Sequence, residues 1–234
     1  MKPMAEDWNR AVCVVAHPDD LEYGAAAAVA RWTAQGKQVS YVLVTSGEAG
    51  IEGREPAEVG PLREEEERRS AAVVGVTEVE FLGFPDGLIE YGVPLRRALA
   101  GALRQLDPEV VITSSFDLTW GEEGPVNHSD HRAVGLAVLD ACRDAANEWV
   151  FPEAGPRCDT IRDAYVSAVG NPTHFVDVTD TIEAGIASLR EHRAYIEGLG
   201  GDFDPDEFLR NAAGYIGLAA EVDYAVGLRR YPMG

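Results

Sequence analysis

Cationic charge is scarce in this sequence. Twenty Lys and Arg stand against 40 Asp and Glu, a formal net charge of −20. Nucleic acids and anionic membranes need a basic face that displaces counterions or meets headgroups, so the balance argues against both partners. Long apolar runs are missing too. No stretch reaches the roughly 18 residues of a membrane span, and the polar start Met1–Trp8 predicts no signal peptide. Cysteines number three, Cys13, Cys142 and Cys158, without a CxxC spacing. That indicates neither a disulfide framework nor a structural zinc knuckle, and a reducing cytoplasm is the expected compartment. Internal repeats and low-complexity linkers are absent. So are a GxSxG elbow and a GxGxxG loop, which argues against a serine hydrolase and a dinucleotide enzyme.

What is present is ordinary globular composition, 46% hydrophobic and 26% charged over 234 residues. One domain spanning residues 1–234 is expected. Short apolar runs alternate with helical patterns. Strands are expected at Ala11–Ala16, Val39–Thr45, Val79–Leu82, Val110–Ser114, Ala164–Val169 and Phe175–Val178. Helices are expected at Glu22–Gly36, Leu62–Gly75, Val93–Leu106, Ser129–Asn147, Thr181–Gly198 and, broken at its glycines, Glu207–Leu228. Ser46–Gly60 reads as a long loop and Gly83–Gly92 as a pair of turns. This order gives an α/β, Rossmann-like fold: a mostly parallel sheet with helices on both faces. Ligands of such sheets bind beyond the C-terminal strand ends. The loops after Ala16, Thr45, Leu82 and Ser114 should therefore border one crevice.

Two clusters fall in those loops: Ala16-His17-Pro18-Asp19-Asp20-Leu21-Glu22, and Asn127-His128-Ser129-Asp130-His131 at the start of a helix. His17, Asp20 and His131 make two imidazoles and one carboxylate, a set that holds a catalytic divalent metal and leaves a position for water. Asp19, beside a ligand but without a metal duty, can take a proton from that water. His128, on the same helix face as His131, can serve the oxyanion as imidazolium and protonate a leaving amine. Asp130 can orient one of the histidines.

Together the two clusters resemble the PIG-L/LmbE-like family of zinc-dependent de-N-acetylases, whose members cut N-acetyl groups from N-acetylglucosamine-containing molecules, thiol-cofactor precursors among them. Thr45–Gly50, Arg63 and Glu67 with Ala71–Val76, and Phe81–Gly87 extend the resemblance, which covers roughly Ala11–Asp140. It implies Zn²⁺ on His17, Asp20 and His131, with Asp19 as base and His128 as acid or oxyanion partner. Another divalent transition ion would suit the same ligands. The resemblance makes Arg63 and Asp86 substrate contacts. Glu48 is assigned to the site from its loop. His192 reads as an exposed helix histidine on its own pattern and as a pocket or supporting residue by resemblance. The remainder of Arg63–Arg69 reads as a solvated helix face. Trp120 could stack on a sugar or pack on its own scaffold. Two places depart from the family: His192 is followed by Arg193-Ala194-Tyr195 where many members carry His-x-Ser-Gln, and Tyr224-Ala225-Val226 stands where Tyr-Ala-Glu is common.

The expected activity is metal-dependent amide hydrolysis, releasing an N-acyl group from an N-acetylglucosamine-type sugar or conjugate. The alternative on the same site is hydration of an unsaturated carboxylic acid, which basic residues lining the pocket would favour. A metal-free binding protein fits least, because every residue the chemistry needs is present. The expected partner is a small molecule, and self-association is left open.

Overall fold

The computed structural model describes residues 1–121, 123–200 and 204–233. Its strands are β1 (Lys2–Pro3), β2 (Arg10–Val15), β3 (Gln38–Leu43), β4 (Glu78–Phe81), β5 (Val110–Ser114), β6 (Asp163–Ser167), β7 (His174–Asp177) and β8 (Ala225–Pro232). Its helices are α1 (Ala26–Ala34), α2 (Pro56–Val73), α3 (Val93–Leu106), α4 (Ser129–Ala145), α5 (Ile182–Leu189), α6 (Arg193–Leu199) and α7 (Pro205–Ala220). The strands form one sheet in the order β1-β7-β8-β6-β5-β2-β3-β4. All pairings are parallel except those of β8, which runs antiparallel between β6 and β7.

Alternate residues of the buried strands feed two cores. Cys13, Val15, Tyr41, Leu43 and Ile112 join Ala26–Trp32 of α1 and Ile182, Ile186 and Leu189 of α5 on one face. Val12, Val14, Val42 and Val111 join Leu95, Leu99 and Leu103 of α3 and Val134 and Val138 of α4 on the other. The two-faced covering expected of an α/β fold is present.

Several boundaries differ from the sequence reading. Helix α2 starts at Pro56, inside the expected loop, because proline suits a first helical turn. The expected Thr181–Gly198 helix breaks at Arg190–His192 into α5 and α6. The expected Glu207–Leu228 helix stops at Ala220, where Glu221 takes a left-handed conformation, and the chain then forms β8. The solvated-face reading of Glu64–Arg69 is corrected at two positions: Glu66 and Glu67 are buried, as Arg63 is, because α5 and α6 cover that side of α2.

Candidate active site

The loops following β2, β3, β4 and β5 meet around one cavity of about 840 Å³. The strand order β5-β2-β3-β4 puts their C-terminal ends side by side, which is why this edge collects side chains so far apart in sequence.

The turn after β2 is wound by Asp20. Its Oδ2 accepts the backbone N–H groups of Ala16 and His17, both at 3.0 Å. This fixes the carboxylate against the strand end. Asp19 between them sits at φ +105°, a backbone region that costs a non-glycine residue roughly 1–2 kcal/mol. Three contacts hold it there. Arg63 Nη2 donates to Asp19 Oδ2 at 3.0 Å and also to the Pro18 carbonyl, and the Asp19 N–H donates to Glu67 Oε2 at 3.3 Å.

The second cluster opens α4. His128 caps the helix, its Nδ1 accepting the Asp130 N–H at 3.4 Å. His131 lies one turn further on. Its Nδ1 pairs with Asn127 Oδ1 at 2.9 Å. Asn127 Nδ2 donates to the carbonyls of Ser115 and Asp117, so its oxygen must face His131 and accept from it. His131 therefore presents a lone pair at Nε2. His17 is arranged likewise: its Nε2 lies 3.0 Å from Asp86 Oδ1 and 3.4 Å from Asp130 Oδ2, so Nε2 carries the proton and Nδ1 the lone pair.

These two lone pairs face each other. His17 Nδ1 and His131 Nε2 are 3.1 Å apart, His131 Nε2 is 2.9 Å from Asp20 Oδ1, and His17 Nδ1 is 3.8 Å from Asp20 Oδ2. Ligands at about 2.0–2.1 Å in a tetrahedral shell stand about 3.3 Å from one another. The donors thus surround a position for a divalent cation. The charges agree. Although burial opposes it, Asp130, Asp20 and Asp86 push the His17 imidazole well above its usual range, so the cluster favours positive charge at its centre. His17, Asp20 and His131 are together, as the sequence suggested, and they fit the metal.

The other expected site residues take varied places. Asp19 and His128 line the cavity. Asp130 is fully buried and accepts from the backbone N–H groups of Gly87 and Ile89 while supporting His17. Arg63 and Asp86 also line the cavity but are committed inside the protein. Arg63 adds a bond to the Gly47 carbonyl at 2.9 Å, and Asp86 takes the Ala49 N–H at 2.9 Å besides His17. Trp120 lines the cavity with its edge toward His131, ring centroids 5.7 Å apart. Two assignments are corrected. Glu48 does not line the cavity; it braces the loop by accepting the Asp86 N–H at 2.9 Å. His192 is neither exposed nor in the cavity, which leaves only the supporting place that the resemblance allowed. It has 0% exposure and lies 3.5 Å from Glu22 Oε2 and 3.6 Å from Glu67 Oε2, behind the Asp19 turn.

Three contributors carried no role from sequence. Asn127 fixes His131, and its position four residues before that histidine was the available signal. Tyr195 lines the cavity with the Arg63 guanidinium 4.5 Å from its ring centroid. Glu67 was legible as part of a charged run and of the resemblance, neither of which gave it a role.

The chain is 30% identical over 237 residues to diacetylchitobiose deacetylase from Thermococcus kodakarensis, covering 97% of this chain and 84% of that protein. The structure superimposes on N,N′-diacetylchitobiose deacetylase from Pyrococcus horikoshii with a TM-score of 0.86 at 24% identity, over 97% of this chain and 85% of that one. It shares its fold with a 4-carboxy-2-hydroxymuconate hydratase from Pseudomonas putida, with a TM-score of 0.76 at 22% identity, over 95% of each chain. The family model described as GlcNAc-PI de-N-acetylase matches residues 12–142, more than half of the sequence. This chain belongs to that PIG-L family.

Proposed function

We propose that this chain, acting as one domain, is a zinc-dependent hydrolase that removes the acetyl group from an N-acetylglucosamine-type sugar or conjugate. The convergence of His17 Nδ1, Asp20 and His131 Nε2 on one point beside Asp19 carries the reading. His17, Asp20 and His131 would hold the ion, which supplies Lewis acidity to a water and to the acyl carbonyl.

The chain's own groups do the rest. Burial pushes the Asp19 carboxyl above the ordinary carboxylate range, against the pull of Arg63, which suits a group that must hold a proton for part of the cycle. Asp19 takes a proton from water as the C–O bond forms. It gives that proton to the amide nitrogen as the C–N bond breaks, leaving acetate and a free amine. Burial, with His17 beside it, holds His128 below the usual imidazole range. His128 is then neutral at neutral pH. Its Nδ1 is occupied by the Asp130 N–H, so Nε2–H is the donor available to the oxyanion. This replaces the imidazolium role suggested by sequence.

Hydration of an unsaturated carboxylic acid is less well supported. Basic residues lining the pocket would favour it, and Arg63 is the only Lys or Arg lining the cavity among the described residues.

Metal content and amine release test the reading together. One zinc per chain and free amine from N-acetylglucosamine conjugates, both lost in His17→Ala, are expected. Full metal loading without amine release from any conjugate overturns it.

A further inference from the structure

We infer that the substrate's sugar carries an uncharged apolar substituent, an alkyl or aryl aglycone, seated against helix α7; this rests on the deacetylase reading above. The cavity is two-sided. Its metal-facing side is built from the strand-end loops. The other side is apolar and comes from α7, where Phe208, Ala212, Tyr215 and Ile216 line it together with Ala168 and Val169. The α7 positions recur at i, i+4, i+7 and i+8, which is one face of a helix.

Two further observations bear on what that wall meets. At about 840 Å³ the cavity lies near the top of the range of about 300–1,000 Å³ for small-molecule sites, so the sugar has room for a substituent. The wall also continues into a smaller chamber of about 100 Å³, lined largely by small and apolar residues but with Glu22 in its lining. That chamber shares Tyr23, Ala168, Val169, Ala212 and Ile216 with the main cavity, and Leu209 and Ala213 add to its lining.

Charge decides the class of substituent. Among the described residues Arg63 is the only Lys or Arg lining the cavity. Its Nη atoms are spent on Asp19 and on the carbonyls of Pro18 and Gly47, and its Nε is buried. Asp19, Asp20 and Asp86 share the lining. Away from the metal ligands, a carboxylate or phosphate on the aglycone would find no Lys or Arg free to pair with it. The group removed is acetyl, so the apolar chemistry belongs to the sugar's substituent.

The test compares kcat/KM of the zinc-loaded protein on phenyl N-acetylglucosaminide, free N-acetylglucosamine, an N-acetylglucosaminide of a hydroxy acid, and N-octanoylglucosamine. The phenyl glycoside should exceed the free sugar by roughly tenfold or more, with the carboxylate conjugate below both. Tyr215→Asp, at a position 77% exposed where a charge meets water, and Ile216→Asp should each draw the phenyl-to-free-sugar ratio toward one. A wild-type ratio near one, or a carboxylate conjugate turned over as fast as the phenyl glycoside, overturns the inference while leaving the deacetylase reading intact; a preference for N-octanoylglucosamine overturns the inference by placing the acyl chain, not the aglycone, on the wall. Amine release from none of the four overturns both.

Discussion

The backbone N–H of Asp19 donates to Glu67 Oε2 across 3.3 Å, so the strained turn carrying the proposed base rests on a side chain that water does not reach. Burial, and then Glu22, push the Glu67 carboxyl well above the carboxylate range. The shift favours its neutral form, of which glutamine is the near isostere. Glu67→Leu removes the acceptor and strands a buried N–H, which costs about 1–3 kcal/mol. Urea denaturation should register that loss. Steady-state kinetics should show kcat down by roughly tenfold or more with KM nearly unchanged, since Asp19 is displaced and the α7 wall is not. Glu67→Gln should recover most of both; a Gln variant as damaged as Leu would refute the positioning role.

Asp19→Asn separates the base from the metal site. Asparagine tolerates positive φ better than most residues, and His17, Asp20 and His131 are untouched. Zinc content and thermal midpoint should hold while kcat falls by about 10²–10⁴, the usual contribution of a general base. Full activity with zinc bound would remove Asp19 from the mechanism.

Gly47→Ala tests how Arg63 reaches Asp19. Gly47 sits at φ +62°, and a Cβ there would collide with the Arg63 guanidinium. Gly50 meets the same guanidinium. The loop after β3 is thus bare of side chains where arginine lies against it. Alanine at position 47 should cost about 1–3 kcal/mol and reduce kcat, with zinc retained. Unchanged kinetics would mean that the Arg63–Asp19 pair does not set the rate.

What could be read from sequence divides along a physical line. His17, Asp20 and His131 were legible because each residue's own chemistry, joined to one rule about strand ends, suffices to place it. The Glu22–Glu67–His192 cluster was not. Glu67 sits in a run of charges that looks solvated, and it is buried only because α5 and α6 return over α2 more than 100 residues later, with Ser70 and Ser188 touching at 2.6 Å. Strand β8 was hidden for a similar reason. Its pairing with β6 and β7 is antiparallel and long-range, and nothing local in Ala225–Pro232 distinguishes it from the end of the preceding helix.

That buried cluster should also make stability depend on pH. Burial opposes the charging of His192, but Glu22, then Glu67 and Asp19, overcome it and raise the imidazole to about 9. Its unfolded value is about 6.5. A folded pKa above the unfolded one means that folding takes up a proton between these values. The contribution is fully present below pH 6.5 and is lost as pH rises through about 9. Its size is about 3 kcal/mol. Glu67, also raised in the folded state, adds a loss of the same sign. With the ion bound, His17 and His131 are committed as ligands. His128 and His174 are lowered, chiefly by burial, and titrate below the window. Thermal midpoints of the zinc-loaded protein should therefore fall between pH 6.5 and 9, and His192→Asn should flatten that fall. The ionic strength should matter little, because a pair buried this deeply is poorly screened. A wild-type midpoint that is flat across the window, or a slope in His192→Asn as steep as in the wild type, would show that His192 is neutral in the folded protein and that Glu22 is held without it.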